Sequence, residues 1–425
     1  MRKLLFQNIR VIDSNASSDT FKDVLVGGAT IVGVDKPFSI TNSNFQIVEH
    51  PKNSILMPGI IDLRTESKDP GETHTDNLET LLRSAAKGGV TSLVCLPNTS
   101  PVIDESSIVH SLAKRSESFN LSKLLIYGAA SIGLDDEKMS ELGLLAKSGV
   151  VGFTNAHKPI YNPLLMKRVL SYSQMFNLPV IQHADIPELS SNTEATESEI
   201  STRLGLRGVP SITEAMLIER DLRLVKLTGG KYHVSHISTK EGLSAIEKGK
   251  NDGLNVSCDT SPPYMILNDF SLINYDTRFK LSPPLRSEED RLSIVEALSN
   301  GLIDAISSDH SPQNRDTKLL TFAQSKSGSL GLETLLSSTL SLVNAKNISL
   351  KRAVELLTSG PSSILNLNGS KISKGYSADF IIIDLNKSWI AKGEEMLSLS
   401  SNSCFEKFPM QGKVLSCWKD GRKIY

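Results

Sequence analysis

Two histidines and an aspartate carry the chemistry this chain is best placed to do: His183, His236 and Asp309. Imidazole and carboxylate are side chains that zinc prefers. Each stands where a β-prone run ends: Val180-Ile181-Gln182 leads into His183, Tyr232–Ser235 into His236, and Ile303–Ser308 into Asp309. The four cysteines, Cys95, Cys258, Cys404 and Cys417, are scattered and form no metal-binding spacing. They read as free thiols in a reducing cytoplasm.

The elements around these residues alternate helix and strand. Thr75 is a candidate cap for a helix carrying Leu78, Leu81, Leu82 and Ala85 on one face, ended by Gly88-Gly89. Val90–Leu96 follows as a strand. Asn162-Pro163 opens another helix, with proline in the first turn. Ser211 with Glu214 predicts a capping box, and the acidic run Glu288-Glu289-Asp290 suits a helix start. The polar stretch Leu189–Thr202 reads as a solvated loop. Repeated αβ units predict a parallel sheet, and their number fits a TIM-type (β/α)8 barrel, in which chemistry sits at the strands' C-terminal ends. Strand-like segments at both termini predict a small β-sandwich domain built from residues 1–55 and 370–425, with the barrel over 56–369.

Composition excludes other classes. The chain has 425 residues, 39% hydrophobic and 22% charged content, and a net charge of -1, so it can bury a large core and gives no case for nucleic acid or a membrane surface. No apolar run approaches membrane-spanning length. The opening Met1-Arg2-Lys3-Leu4-Leu5-Phe6 turns polar at Gln7-Asn8, too soon for a signal peptide, so a cytoplasmic location is expected.

The run Pro58-Gly59-Ile60-Ile61-Asp62-Leu63-Arg64-Thr65-Glu66-Ser67-Lys68-Asp69-Pro70-Gly71 resembles the signature of the dihydroorotase family of cyclic amidohydrolases, Pro-Gly-x-Ile-Asp-x-His-x-His-x-Arg-Glu-Pro-Gly. Further matches follow in family order. They include Gly88-Gly89-Val90-Thr91 with Pro97-Asn98-Thr99, Leu204–Pro210, His233–Thr239, Lys280–Arg286, Asp304–Pro312 and Gly331–Thr334. The resemblance implies a site of one or two zinc ions held by a His-x-His pair, a bridging acid, two further histidines and an aspartate that serves as general base. Against that set the chain keeps His183, His236 and Asp309 but has Arg64 and Glu66 in place of the pair. Asn155 or Ala156 stands at the bridging position, with His157 nearby in a register left open.

Arg64 opposes a metal actively. Residues 64 and 66 share one strand face. A guanidinium at ~4 Å from a divalent ion opposes it by about 8 kcal/mol at an effective dielectric of about 20. Structural zinc sites gain only about 10–16 kcal/mol with a full ligand set. Arg64 is therefore expected to pair with Glu66 or Asp309 and fill the hole with an internal ion pair. On this reading His183 and His236 are hydrogen-bonded core histidines, and Asp309 is a remnant base in a salt bridge. His233 is expected to be packed.

The resemblance also implies substrate contacts, which are eroded. Asn98 is kept, while Lys68, Ser282 and Gln313 stand where the family has an arginine, an asparagine and a histidine. It further implies a role in pyrimidine biosynthesis. The favoured expectation is a non-catalytic member, without a cofactor, that acts as a structural partner of aspartate transcarbamoylase and is open to forming a homo-oligomer. The alternatives are a working dihydroorotase with zinc on His183, His236 and Asp309, and a protein that binds a ureido or carbamoyl ligand through Asn98 and Lys68 without turnover.

Overall fold

A computed structural model describes residues 3–14, 19–35, 45–369 and 371–425. Met1-Arg2 of the N-terminal reading lies outside them.

Eight parallel staves make the barrel: β1 Ile60–Thr65, β2 Val90–Cys95, β3 Lys123–Ile126 resumed at Gly128–Ala129, β4 Phe153–Thr154, β5 Val180–His183, β6 Tyr232–Ser235, β7 Val256–Thr260 and β8 Ala305–Ile306. The ring closes between the first and last, where the Glu66 amide donates to the His310 carbonyl at 2.8 Å beside a parallel Thr65–His310 bridge. Outside run α1 Leu78–Lys87, α2 Ser106–Ser118, α3 Leu142–Lys147, α4 Pro163–Ser173, α5 Ile212–Thr228, α6 Lys240–Asn251, α7 Glu288–Asn300 and α8 Leu350–Leu357. Leu81, Leu82, Val169, Leu170, Ile218, Val225, Ile246 and Ile294 on these helices join Ile60, Val90, Val180 and Val234 on the strands in one core. Each such side chain removed from water contributes roughly 1.5–3 kcal/mol.

Local chemistry sets the helix limits. Asn162 accepts from the amides of Leu164 and Leu165 ahead of Pro163, and Ser287 and Asp290 form a reciprocal cap for α7. Gly229 and Gly301 end α5 and α7 at φ 72° and 91°, where a side chain would be strained. Two expected caps are corrected. The cap of α1 is Asn77, whose side chain accepts from the Thr80 amide, and Thr75 belongs to the preceding turn. Ser211 already has helical backbone angles and makes no side-chain cap bond, because Glu214 is drawn to the loop after β6. The stretch 189–202 is no plain loop. It holds a short strand Ala195–Thr196 paired with Gly208–Val209, and the start of a capped helix Glu199–Leu204.

Among the described residues, both chain ends build one eight-stranded sheet. Ile55–Pro58 from the first part pairs antiparallel with Phe380–Ile390 from the last, Leu56 opposite Ile382. Its core centres on Phe6, which meets Phe380 and Trp418 edge-on at 5.1 and 5.2 Å. Among the described residues, no helix is long and apolar enough to cross a membrane.

Candidate active site

The C-terminal ends of β1, β5, β6 and β8 converge. Asp62, buried in β1, accepts from the Ser308 amide at 2.7 Å, from the Ser308 hydroxyl at 2.6 Å and from Thr65 at 2.6 Å. That tie fixes the segment leading to Asp309 against β1. Asp259 on β7 accepts from the His236 amide at 2.7 Å and from His233 at 3.0 Å, so His233 supports the His236 turn. Glu214 of α5 accepts from the amides and hydroxyls of both Ser238 and Thr239, bracing the same loop. His236 and Asp309 both hold positive φ, 42° and 49°. Such strain in non-glycine residues persists only where the surroundings over-determine it.

Arg64 lies in the middle, about as buried as any side chain in the molecule, at 1% exposure. Its Nε donates to Asp309 Oδ1 at 2.8 Å, and a terminal nitrogen donates to His157 Nδ1 at 3.1 Å. The other Asp309 oxygen accepts from His236 Nδ1 at 3.3 Å, and His236 Nε2 lies 2.8 Å from His183 Nδ1. With His236 donating to the carboxylate, its Nε2 accepts from His183. Burial, the facing His236 and Arg64 hold His183 well below the ordinary histidine range. Burial and Arg64 bring His236 down to about 4. Both rings are neutral at pH 7. Burial pushes Asp309 upward, but His236 and Arg64 outweigh it and keep the carboxyl far below its usual range. With His236 uncharged, Arg64 is the standing cation.

A second cluster surrounds Glu66. Lys68 Nζ reaches Oε2 at 2.7 Å and Ser311 donates to the same oxygen at 2.8 Å. Asn98 Nδ2 donates to Oε1 at 2.8 Å, and His157 Nε2 donates to that oxygen as well. Burial raises Glu66, and His157 and Lys68 reverse this to hold it well below the ordinary carboxylate range. His157 links the clusters, accepting from Arg64 and donating to Glu66. Arg64 therefore pairs directly with Asp309, and with Glu66 only through this imidazole.

His157 is the residue the sequence left unplaced, and Asn155 offers the site no ligand. The Asn155 side chain turns away, its oxygen accepting from the Ser131 amide and hydroxyl at 3.1 and 3.2 Å. Ala156 at φ 60° makes the turn that sends His157 inward. The signal that would have found it is the histidine two residues past an asparagine at a strand end. The four expected substrate residues do not gather in one place either. Lys68, Asn98 and Gln313 line one cavity of about 300 Å³. Ser282 lines a second, of about 270 Å³, with Glu66, His157, Asp309 and Cys404. Ser282 also borders a third, which contains His183. Lys68 and Asn98 are bonded to Glu66, and Gln313 donates to Ser311 at 3.1 Å. Burial pushes the Cys404 thiol up to about 12, so it is no nucleophile at neutral pH.

These donors do not fit zinc. Tetrahedral ligands with bonds of about 2.0–2.1 Å stand about 3.3 Å apart around the ion. Here the facing His183 and His236 nitrogens are hydrogen-bonded to each other and Asp309 is taken by a guanidinium. Among the described residues, no three His, Cys, Asp or Glu side chains are grouped to hold a metal.

A family model described as "Dihydro-orotase-like" matches residues 53–242. Over 421 residues the chain is 38% identical to a protein of Ehrlichia canis named dihydroorotase, covering 98% of this chain and 94% of that one. The chain belongs to the dihydroorotase family. A protein of Wolbachia sp. subsp. Drosophila simulans, also named dihydroorotase, is 35% identical, covering 100% of this chain and 96% of that one. An L-hydantoinase (dihydropyrimidinase) structure from Arthrobacter aurescens superposes with a TM-score of 0.88 at 22% identity, covering 100% of this chain and 96% of that one, a likeness of fold. The expected family and the barrel with its β-domain are thereby established. Within this dihydroorotase-family frame, the guanidinium of Arg64 and the carboxylate of Glu66 occupy the end of β1, next to His183, His236 and Asp309.

Proposed function

We propose that this chain is a member of the dihydroorotase family serving pyrimidine biosynthesis without hydrolysing dihydroorotate, and that it acts as a structural partner of aspartate transcarbamoylase. The observation that carries the loss of activity is the Arg64–Asp309 ion pair at 2.8 Å. A general base must be free to take a proton from a nucleophilic water. Asp309 faces a permanent cation instead, and the neutral His183–His236 pair is satisfied internally. Lys68 and Asn98 are likewise committed to Glu66, leaving fewer free donors for a substrate carboxylate. The partner rests on family resemblance alone.

One finding favours a second reading, a working dihydroorotase. Relatives named dihydroorotase match nearly the full chain at 35–38% identity. An assay of dihydroorotate formation from carbamoyl aspartate separates the two. The favoured reading expects no turnover above buffer, and the same background after Asp309→Asn. Turnover that Asp309→Asn abolishes would establish the enzyme. Gel filtration with aspartate transcarbamoylase from the same organism should give one larger complex, and independent elution removes the partnership.

A further inference from the structure

After β8 the chain leaves the barrel at Gln313 and returns at Gly328, and Asn402 ties the neck of this loop. The Asn402 side chain accepts from the Gln313 amide at 3.0 Å and donates to the Gly328 carbonyl at 3.0 Å. Ser327, on the returning limb, borders all three cavities of the site. Two lysines fasten the loop to the turn at 277–280. Lys318 Nζ donates to the carbonyls of Thr277 at 2.9 Å and Lys280 at 3.4 Å, and the Thr277 hydroxyl donates back to the Lys318 carbonyl. Lys280 Nζ reaches the other way, to the carbonyls of Phe322 and Ala323 at 2.8 and 2.7 Å. Among the described residues, no carboxylate stands within 4 Å of either ammonium. Lys318 is only partly buried, so a small molecule in solution reaches it.

The geometry around Lys318 suits an amine better than an ammonium. Its two carbonyl acceptors match the two N–H groups of a neutral amine, whereas an ammonium carries three. Burial lowers Lys318 to about 8, and the neighbouring Lys280 adds to the shift. The other groups facing it do not undo this. Asp276 is engaged by Arg278 at 2.9 and 3.0 Å, the Cys404 thiol is neutral, and Arg315 and Asp316 offset each other on its own turn. At pH 8 about half of Lys318 is therefore free amine, against under about 1% of an ordinary lysine. A lysine desolvated beside another cation is an activated nucleophile. We infer that Lys318 is a modification site that accepts the acyl group of a small acyl phosphate, and that its acylation unties the 313–328 loop from the turn at 277–280. The nitrogen attacks the acyl carbon, and the bond from that carbon to the phosphate oxygen breaks. Phosphate leaves with the electron pair and takes up the proton the nitrogen gives up. Lys280 supplies positive potential that draws a phosphate-bearing donor. The amide formed keeps one N–H and no charge, so at most one of the two carbonyls stays bonded. The inference is independent of whether the barrel retains any catalysis.

Acetyl phosphate is the probe, applied to the full-length protein and followed by peptide mass spectrometry. Lys318 should be acetylated at least about fivefold faster at pH 8 than the exposed Lys167 and Lys346. Its rate should level off above about pH 9 while theirs keep rising. Unfolding in urea should erase the preference, which separates the folded environment from local sequence. Lys318→Gln, which places a neutral amide there, should quicken hydrogen exchange across 313–328 by at least about threefold. Acetylation of Lys318 no faster than of the exposed lysines, a preference that survives urea, or unchanged exchange in Lys318→Gln overturns the inference.

Discussion

Arg64 shows how one side chain can redefine a site. It is fully buried and its charge is met by Asp309 and His157, so removing it strands an anion in the barrel. Breaking a buried ion pair from one side destabilises by about 3–5 kcal/mol, whereas deleting both partners is far milder. Arg64→Ala should therefore lower the unfolding free energy by about that amount in a urea titration, and Arg64→Ala with Asp309→Ala by clearly less. Equal losses in the single and double variants would mean the pair is not coupled. That Arg64 pairs with a carboxylate, Glu66 or Asp309, was legible in the sequence because a buried guanidinium at a strand end needs one. The place of His157 was not. It depends on the positive φ of Ala156, a backbone turn that no side-chain pattern announces.

At the scale of elements, buried acids on α5 act as anchors. Glu214 braces the loop after β6, and Asp221 accepts from Gln182 of β5 and from Tyr232 of β6, each at 2.9 Å. Burial raises Asp221 from 3.8 to about 6, despite Arg220 and those donors. Between those values the native state holds a proton that the unfolded chain releases, so stability falls as pH rises through the window and levels above it. Asp221→Asn should flatten that fall when urea midpoints are compared between pH 4 and pH 6, roughly the two ends of the window. A slope unchanged by the substitution would show that Asp221 ionises as an ordinary carboxyl. Hydrophobic periodicity, Pro163 and the glycines after α5 and α7 made the helices readable. The cap at Ser211 was misread because Ser-x-x-Glu scores the same whether the glutamate turns back to its own helix or reaches Ser238 and Thr239. That choice is made by the tertiary fold.

Over the whole molecule, the barrel, the two-ended sheet and the family were all visible before the structure. Strand ends marked where side chains converge, and ordered motifs spread over most of the chain marked the relationship. How the convergent residues divide among themselves was hidden. Two networks, Arg64 with Asp309, His236 and His183, and Glu66 with Lys68, Asn98 and Ser311, satisfy each other's charges through His157. Pairing of this kind leaves neither Asp309 nor Glu66 free to attract a divalent cation. The zinc content of the full-length protein, purified from zinc-supplemented cells and read by plasma mass spectrometry, tests this most directly. The account expects far less than one zinc per chain, and one or two tightly retained zinc ions per chain would contradict it.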